Sequence, residues 1–322
     1  MTLPALFDRL RLPVIGSPLF IISGPELVIA QCKAGIVGSF PALNARPSAM
    51  LDEWLHRITE ELAAYNRANP DAPAAPFAVN QIVHRSNDRL EADLVTCAKW
   101  QVPIVITSLG AREDLNAAVH GWGGITLHDV IDDTFARKAV DKGADGLIAV
   151  AAGAGGHAGR QSPFALIQEI RQWFDGPLAL SGSIANGGAI LAAQALGADL
   201  AYIGSAFIAT DEANADAAYK QGVVDGRAKD IVYSSLFTGV HGNYLRGSIV
   251  AAGLDPDALP EGDYRTMNFG QTNGGEGSKA KAWRDIWGSG QGIGVIDSVE
   301  PVAARVARMQ AEYQAARARL AL

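Results

Sequence analysis

One stretch of the 322-residue chain concentrates the chemistry: Val150-Ala-Ala-Gly-Ala-Gly-Gly-His157-Ala-Gly159-Arg-Gln-Ser-Pro163. It follows a short apolar run and precedes a segment of helical character, so it reads as a strand-to-helix loop. Its glycines let the backbone approach a ligand closely, and they leave His157 as the prominent side chain. An imidazole takes or gives a proton near neutral pH. A catalytic acid/base is the sharper reading and a histidine that merely bonds loop backbone the plainer one; position alone leaves both open.

Two further segments suit an anion. Ser181-Gly182-Ser183-Ile-Ala-Asn186-Gly-Gly188 and Gly204-Ser205 each follow an apolar run, and their small residues expose N–H groups able to cradle a phosphate. The same glycines also suit tight turns. No Gly-rich loop ends in Lys-Ser/Thr and no Gly-x-Gly-x-x-Gly opens a first βαβ unit, so a phosphate-bearing cofactor on a barrel is the more economical reading. The six histidines, at 56, 84, 120, 128, 157 and 241, form no His-Glu-x-x-His pair, and no metal centre is expected. His128, beside Asp129, reads more readily as a buried hydrogen-bonding residue than as a ligand. Cys32 and Cys97 read as small core residues whose reduced thiols suit a cytoplasm.

These loops need a frame. Apolar runs at 13–15, 36–40, 77–82, 104–107, 125–127, 146–150, 178–181 and 201–203 alternate with helical stretches at 25–32, 48–67, 87–99, 112–119, 132–142, 163–173 and 187–196. Runs apolar on both faces indicate parallel strands under crossover helices. Eight such units predict an α/β fold, a (β/α)8 TIM barrel with a C-terminal helical and loop elaboration. Two echoing segments, Lys-Gly143-Ala-Asp145 and Leu-Gly197-Ala-Asp199, end a helix with Gly and launch a strand. Each Asp is expected to turn back onto loop amides. Beyond the barrel come helical stretches at 213–224, 244–252 and 300–322, a turn region at 253–261 and a polar Gly-rich loop at 270–277. No linker interrupts the chain, so 1–322 reads as one domain with 210–295 covering the active rim.

With 27 Lys+Arg against 34 Asp+Glu the formal charge is −7, and no long basic tract offers a handle for nucleic acid. The first 20 residues lack the pattern of a secretion signal, and no charge-free run of about 20 apolar residues suggests a membrane span. The expected partners are small molecules, the expected location is cytoplasmic, and a homodimer is a base-rate expectation only.

Taken together the motifs resemble the flavin-dependent nitronate monooxygenases, formerly called 2-nitropropane dioxygenases. The resemblance rests on Gly155-Gly-His157-Ala-Gly159, on the segments 181–188 and 195–205, on Pro76-Phe-Ala-Val-Asn80 and on Gly288-Ser-Gly-Gln291-Gly292. It covers residues 13–210 and resumes at 287–296. It implies FMN in a TIM barrel, with Gly16, Ser17, Pro18 and Leu19 beside the flavin and Asn80 bonding its ring system. His128 would lie near a polar flavin contact, and Gly156 would share the cofactor site. Ser181, Gly182, Ser183, Gly204 and Ser205 would hold the phosphate, and Gln291 and Gly292 would close over the ring. His157 would be the base. The implied reaction oxidises an alkyl nitronate or nitroalkane with oxygen to a carbonyl compound and nitrite. The alternatives are an NAD(P)H:quinone reductase or an enoyl-thioester reductase on the same barrel. The chain departs from the family at Ile15 and Leu19, where relatives often carry methionine, at Ala151-Ala-Gly-Ala, and in the 233–244 segment with His241 and Asn243. Substrate contacts come largely from such loops.

Overall fold

The computed structural model describes residues 3–263 and 285–321; the Gly-rich stretch at 270–277 lies outside them. Eight parallel strands carry the frame: β1 (Val14–Gly16), β2 (Gly38–Pro41), β3 (Phe77–Ile82), β4 (Ile104–Ser108), β5 (Ile125–Val130), β6 (Gly146–Val150), and, after the two-residue β7 (Gly156–His157), β8 (Leu178–Ser181) and β9 (Leu200–Ile203). The sheet runs β1-β9-β8-β6-β5-β4-β3-β2. Val37 N to Val14 O at 3.0 Å and Gly16 N to Val37 O at 2.8 Å join β1 to β2, closing the barrel.

Strand alternation explains why both faces are apolar. Ile15, Val37, Ala78, Ile104, Ile106, Leu127, Ile148, Ala179 and Leu200 fill the interior. Their neighbours Val79 and Val105, or Leu147, Ala149 and Leu180, pack outward under the helices. Each buried Val, Leu or Ile among them contributes roughly 1.5–3 kcal/mol. Phe7, in a 3₁₀ turn over Ala5–Arg9, packs among the first residues of the strands and plugs the N-terminal end.

The crossovers are α1 (Pro25–Ala34), α2 (Met50–Ala68), α3 (Leu90–Lys99), α4 (Glu113–Gly121), α5 (Asp133–Asp141), α6 (Pro163–Arg171) and α7 (Gly187–Leu196). Asp132 and Asn186 cap α5 and α7, accepting from Phe135 N and Ala189 N. Gly197, with φ of 112°, terminates α7 as its sequence indicates. The two echoing aspartates do something other than expected. Asp145 accepts from Thr126 N at 2.7 Å and Asp199 from Leu178 N at 2.9 Å, so each pins a neighbouring strand rather than its own loop.

After β9 the chain forms α8 (Ser205–Ile208), α9 (Ala217–Asp225), β10 (Ile231–Ser234), β11 (Gly242–Leu245), α10 (Arg246–Ala251) and α11 (Val302–Leu320). The helix read at 244–252 starts only at Arg246, because Tyr244 and Leu245 are claimed by pairing with Val232 and Ile231. β10, β11 and β7 make a small antiparallel sheet in which Gly242 faces His157 and Asn243 faces Gly156. β5 also outruns its expected end at 127, since His128 and Asp129 pair with Leu147 and Ile148. α11 packs on α7 so closely that a Cβ at Gly187 would lie 2.2 Å from Met309 O.

Candidate active site

The residues expected at the flavin phosphate come together through a connected run of contacts. A Cβ on Gly204 would stand 2.8 Å from Ser17 Oγ. Ser205 Oγ accepts from Gly290 N at 2.8 Å, and Gln291 N donates to Gly153 O at 2.9 Å. A Cβ on Gly153 would lie 2.2 Å from Ser183 Oγ and 3.0 Å from Gln291 Oε1, while Gly292 abuts the Ser183 backbone. Gly182 and Ser183 both have positive φ, 135° and 57°. The turn therefore needs glycine at the first position and spends strain at the second. Ser181 is buried and its carbonyl accepts from Ala151 N at 2.9 Å. In the first loop Ser17 N bonds Ile203 O at 2.8 Å, Pro18 follows half-buried, and Asn44 holds Leu19 O at 2.9 Å. Gly16 has no room for a Cβ against Gln31.

His157 stands on β7, inside the loop after β6, where it pairs with β11. Its Nε2 lies 2.9 Å from Thr238 Oγ1, and burial pushes its pKa down to about 4. The ring is therefore neutral over the physiological range. Asn243 Nδ2 donates to Ala154 O at 2.6 Å, tying the cover to the glycine loop from a second side. Tyr219 and Trp287 stack at 4.9 Å, and Tyr219 Oη donates to Gly288 O.

On the barrel side Asn80 is buried and donates through Nδ2 to Ile106 O at 3.1 Å and to Ser108 Oγ at 2.8 Å. Ser108 Oγ in turn donates a hydrogen bond to Asp129 Oδ2 at 2.6 Å. Asp129 has its pKa raised to about 6 by burial, against the lowering effect of the Ser108 bond. Tyr202, on β9, has its pKa pushed up by burial and by the Asp129 charge.

His128 is not part of this group. Strand alternation counted from interior Leu127 turns it toward the helix layer, where its Nδ1 meets Thr107 Oγ1 at 2.6 Å and burial lowers its pKa to about 4. The same count aims Asp129 inward; the sequence reading missed it, and period 2 carried past residue 127 is the signal that would have found it. Thr238, Asn243 and Tyr202 carried no such mark in the sequence. Cys32 and Cys97 are buried thiols pushed up to about 12. A surface depression of about 530 Å³ beside α4, lined by Arg112, Asp114 and Lys142 among others, contains none of these groups.

The closed (β/α)8 barrel, the small-residue rim after β8 and β9 and the neutral His157 suit a flavin-binding oxidoreductase of the barrel class, and the family match assigns the chain to that class. The chain belongs to the nitronate monooxygenase family, whose model matches residues 5–310. A nitronate monooxygenase of Paraburkholderia phytofirmans is 25% identical, with 94% of this chain and 92% of that protein covered. Among solved structures, nitroalkane oxidase from Streptomyces ansochromogenes superposes with a TM-score of 0.79 at 24% identity, covering 98% and 100% of the two chains. FabK from Thermotoga maritima does so with 0.76 at 21% identity, covering 100% and 99%. Among the described residues no helix is long and apolar enough to cross a membrane.

Proposed function

We propose that the chain is an FMN-dependent nitronate monooxygenase, oxidising alkyl nitronates with oxygen to carbonyl compounds and nitrite. The observation that carries this reading is the neutral His157 ring, held by Thr238 on a strand that the cover clamps beside the small-residue run. The residues fit FMN. The run through Ser17, Gly204, Ser205, Gly290, Gln291, Gly153 and Ser183 offers serine hydroxyls and includes no carboxylate, and side chains at Gly153 or Gly204 would fill it.

In this reading Gly182, Ser183, Gly204 and Ser205 would hold the phosphate. Ser17 to Leu19 and Gln291 with Gly292 would flank the ring, and Asn80 would face it. Bound FMN supplies the redox chemistry. His157 takes the carbon-bound proton from a neutral nitroalkane, or stabilises the negative charge of a nitronate that has already lost it.

The test is anaerobic flavin reduction by wild type and His157→Asn, matched for FMN content, with neutral nitroalkane and preformed nitronate in parallel. A positioned base contributes typically about 10²–10⁴-fold where proton transfer limits. The variant is therefore expected to lose that factor with the neutral form and much less with the anion. Equal losses would remove the base role. Turnover of quinone or enoyl-thioester with NAD(P)H, without nitronate oxidation, would select a reductase instead.

A further inference from the structure

The barrel floor holds a carboxyl that the mechanism above does not use. Asp129 points inward on β5, and its polar neighbours form one chain: Asn80 Nδ2 to Ser108 Oγ at 2.8 Å, then Ser108 Oγ to Asp129 Oδ2 at 2.6 Å. Directions along this chain are fixed. Asn80 must turn its amide nitrogen to Ile106 O, because a carbonyl only accepts. Both Nδ2 hydrogens are thereby spent, and Asn80 can offer a ligand only its oxygen. Ser108 accepts from Asn80 and spends its single proton on Asp129. With Asp129 ionised, the floor presents acceptors alone.

An oxidised flavin ring has one N–H and several acceptors, the carbonyl oxygens and unprotonated ring nitrogens. An acceptor-only floor satisfies the N–H and leaves a ring acceptor without a donor, which is costly in a buried site. A protonated Asp129 changes the inventory, since Oδ2 still accepts from Ser108 while the other oxygen donates. Asn80 and Ser108 are buried, whereas Asp129 retains partial exposure, so its free oxygen lines accessible space.

We propose that Asp129 is a cofactor-binding residue that acts in its protonated form, donating its O–H to an acceptor atom of the flavin ring, so that FMN binding draws a proton from solvent. The inference rests on the FMN reading above. The surroundings agree with it. Ser108 on β4 is uncharged, Ile148 beside Asp129 on β6 is apolar, and Tyr202 on β9 stays protonated with its pKa raised. No cation is among these neighbours to hold a carboxylate. His128 faces the other side of the sheet, and His157 is neutral through the same pH range. With its pKa near 6, Asp129 is mostly ionised in the free protein at pH 7 and gains most of a proton once a ring covers it.

The experiment is calorimetric titration of apoprotein with FMN at pH 7 in buffers of different ionisation enthalpy, which counts protons taken up per FMN. Wild type is expected to take up most of one proton more than Asp129→Asn, the part ionised in the free protein at that pH; the FMN phosphate contributes equally to both and cancels. Ser108→Ala, which removes the bond favouring the carboxylate, is expected to show an intermediate count. It keeps the question answerable if the Asn variant folds poorly. A carboxylic-acid C=O stretch appearing on FMN binding in wild type and absent in Asp129→Asn would support the same assignment. FMN binding with identical proton counts in all three proteins would overturn it. Failure of the wild type to bind FMN would instead overturn the flavin reading itself.

Discussion

His157 Nε2 lies 2.9 Å from Thr238 Oγ1, a residue 81 positions further along the chain. The same hydroxyl donates to Val240 O at 2.8 Å and accepts from Val240 N at 3.2 Å. A hydroxyl has one proton. When that proton goes to Val240, Thr238 accepts from the imidazole, which then carries its hydrogen on Nε2 and its basic lone pair on Nδ1. Burial keeps the ring neutral.

Thr238→Val removes this tautomer control while keeping the shape. Loss of one hydrogen bond to a working group costs on the order of 1.4 kcal/mol, or about tenfold. kcat/KM for a neutral nitroalkane is expected to fall about tenfold, with a smaller loss for the nitronate. Nitrogen NMR of the labelled imidazole should pass from one tautomer to a mixture, and Thr238→Ser should restore it. An unchanged tautomer in the Val variant would refute the assignment.

The barrel was legible because its evidence is local. The first half of Phe77–Ile82 and the whole of Gly146–Val150 are apolar on both faces, and the strands fall on those runs. At the rim that signal fails. His128 and Asp129 look like a strand ending, yet the strand continues, because its last inward position is polar where the interior opens to the site. The clamp on His157 was not legible at all. β7 is two residues long, and its partner β11 lies more than 80 residues away. No periodicity marks so short a pairing.

Gly153→Ala tests the cradle. The added Cβ meets Ser183 Oγ at 2.2 Å, at a φ of 84° that disfavours any side chain. Strain of about 1–3 kcal/mol is expected, lowering the unfolding free energy and weakening FMN binding roughly tenfold or more. Ser183 must turn away to make room. Equilibrium dialysis with FMN checks this, and wild-type affinity would show that the Gly153–Ser183 contact is not part of the cofactor site.

Asn243→Leu tests the tie between cover and loop. Asn243 is buried and bonds Ala154 O at 2.6 Å. Its replacement strands that carbonyl, at a cost of about 1–3 kcal/mol. Because the pairing beneath it is only two residues long, the loss is expected to appear locally. Amide exchange at Gly156 and His157 should accelerate while that of the β3 and β4 amides holds. Uniform acceleration would mean that cover and barrel open as one unit.

The pH dependence of stability separates the two sides of β5. His128 is 6% exposed and its pKa falls from 6.5 to about 4 on folding. The unfolded chain therefore binds more protons between those values, and stability is full above 6.5 and drains as pH falls toward 4. The slope is about 1.4 kcal/mol per pH unit for each such group, and His157 acts in the same direction. Asp129 opposes them. Its folded pKa of about 6 exceeds the ordinary 3.8, so the folded chain binds the extra proton between those values and regains stability as pH falls through them. Between pH 6 and 4 the net loss is that of one histidine rather than two. His128→Gln, which keeps a partner for Thr107, is expected to flatten the decline below pH 6.5, and Asp129→Asn to steepen it below pH 6. Urea unfolding at half-unit pH steps measures both. A decline unchanged by His128→Gln would show that His128 titrates alike in the folded and unfolded chain, and an unchanged slope in Asp129→Asn would show the same of the carboxyl on the barrel floor.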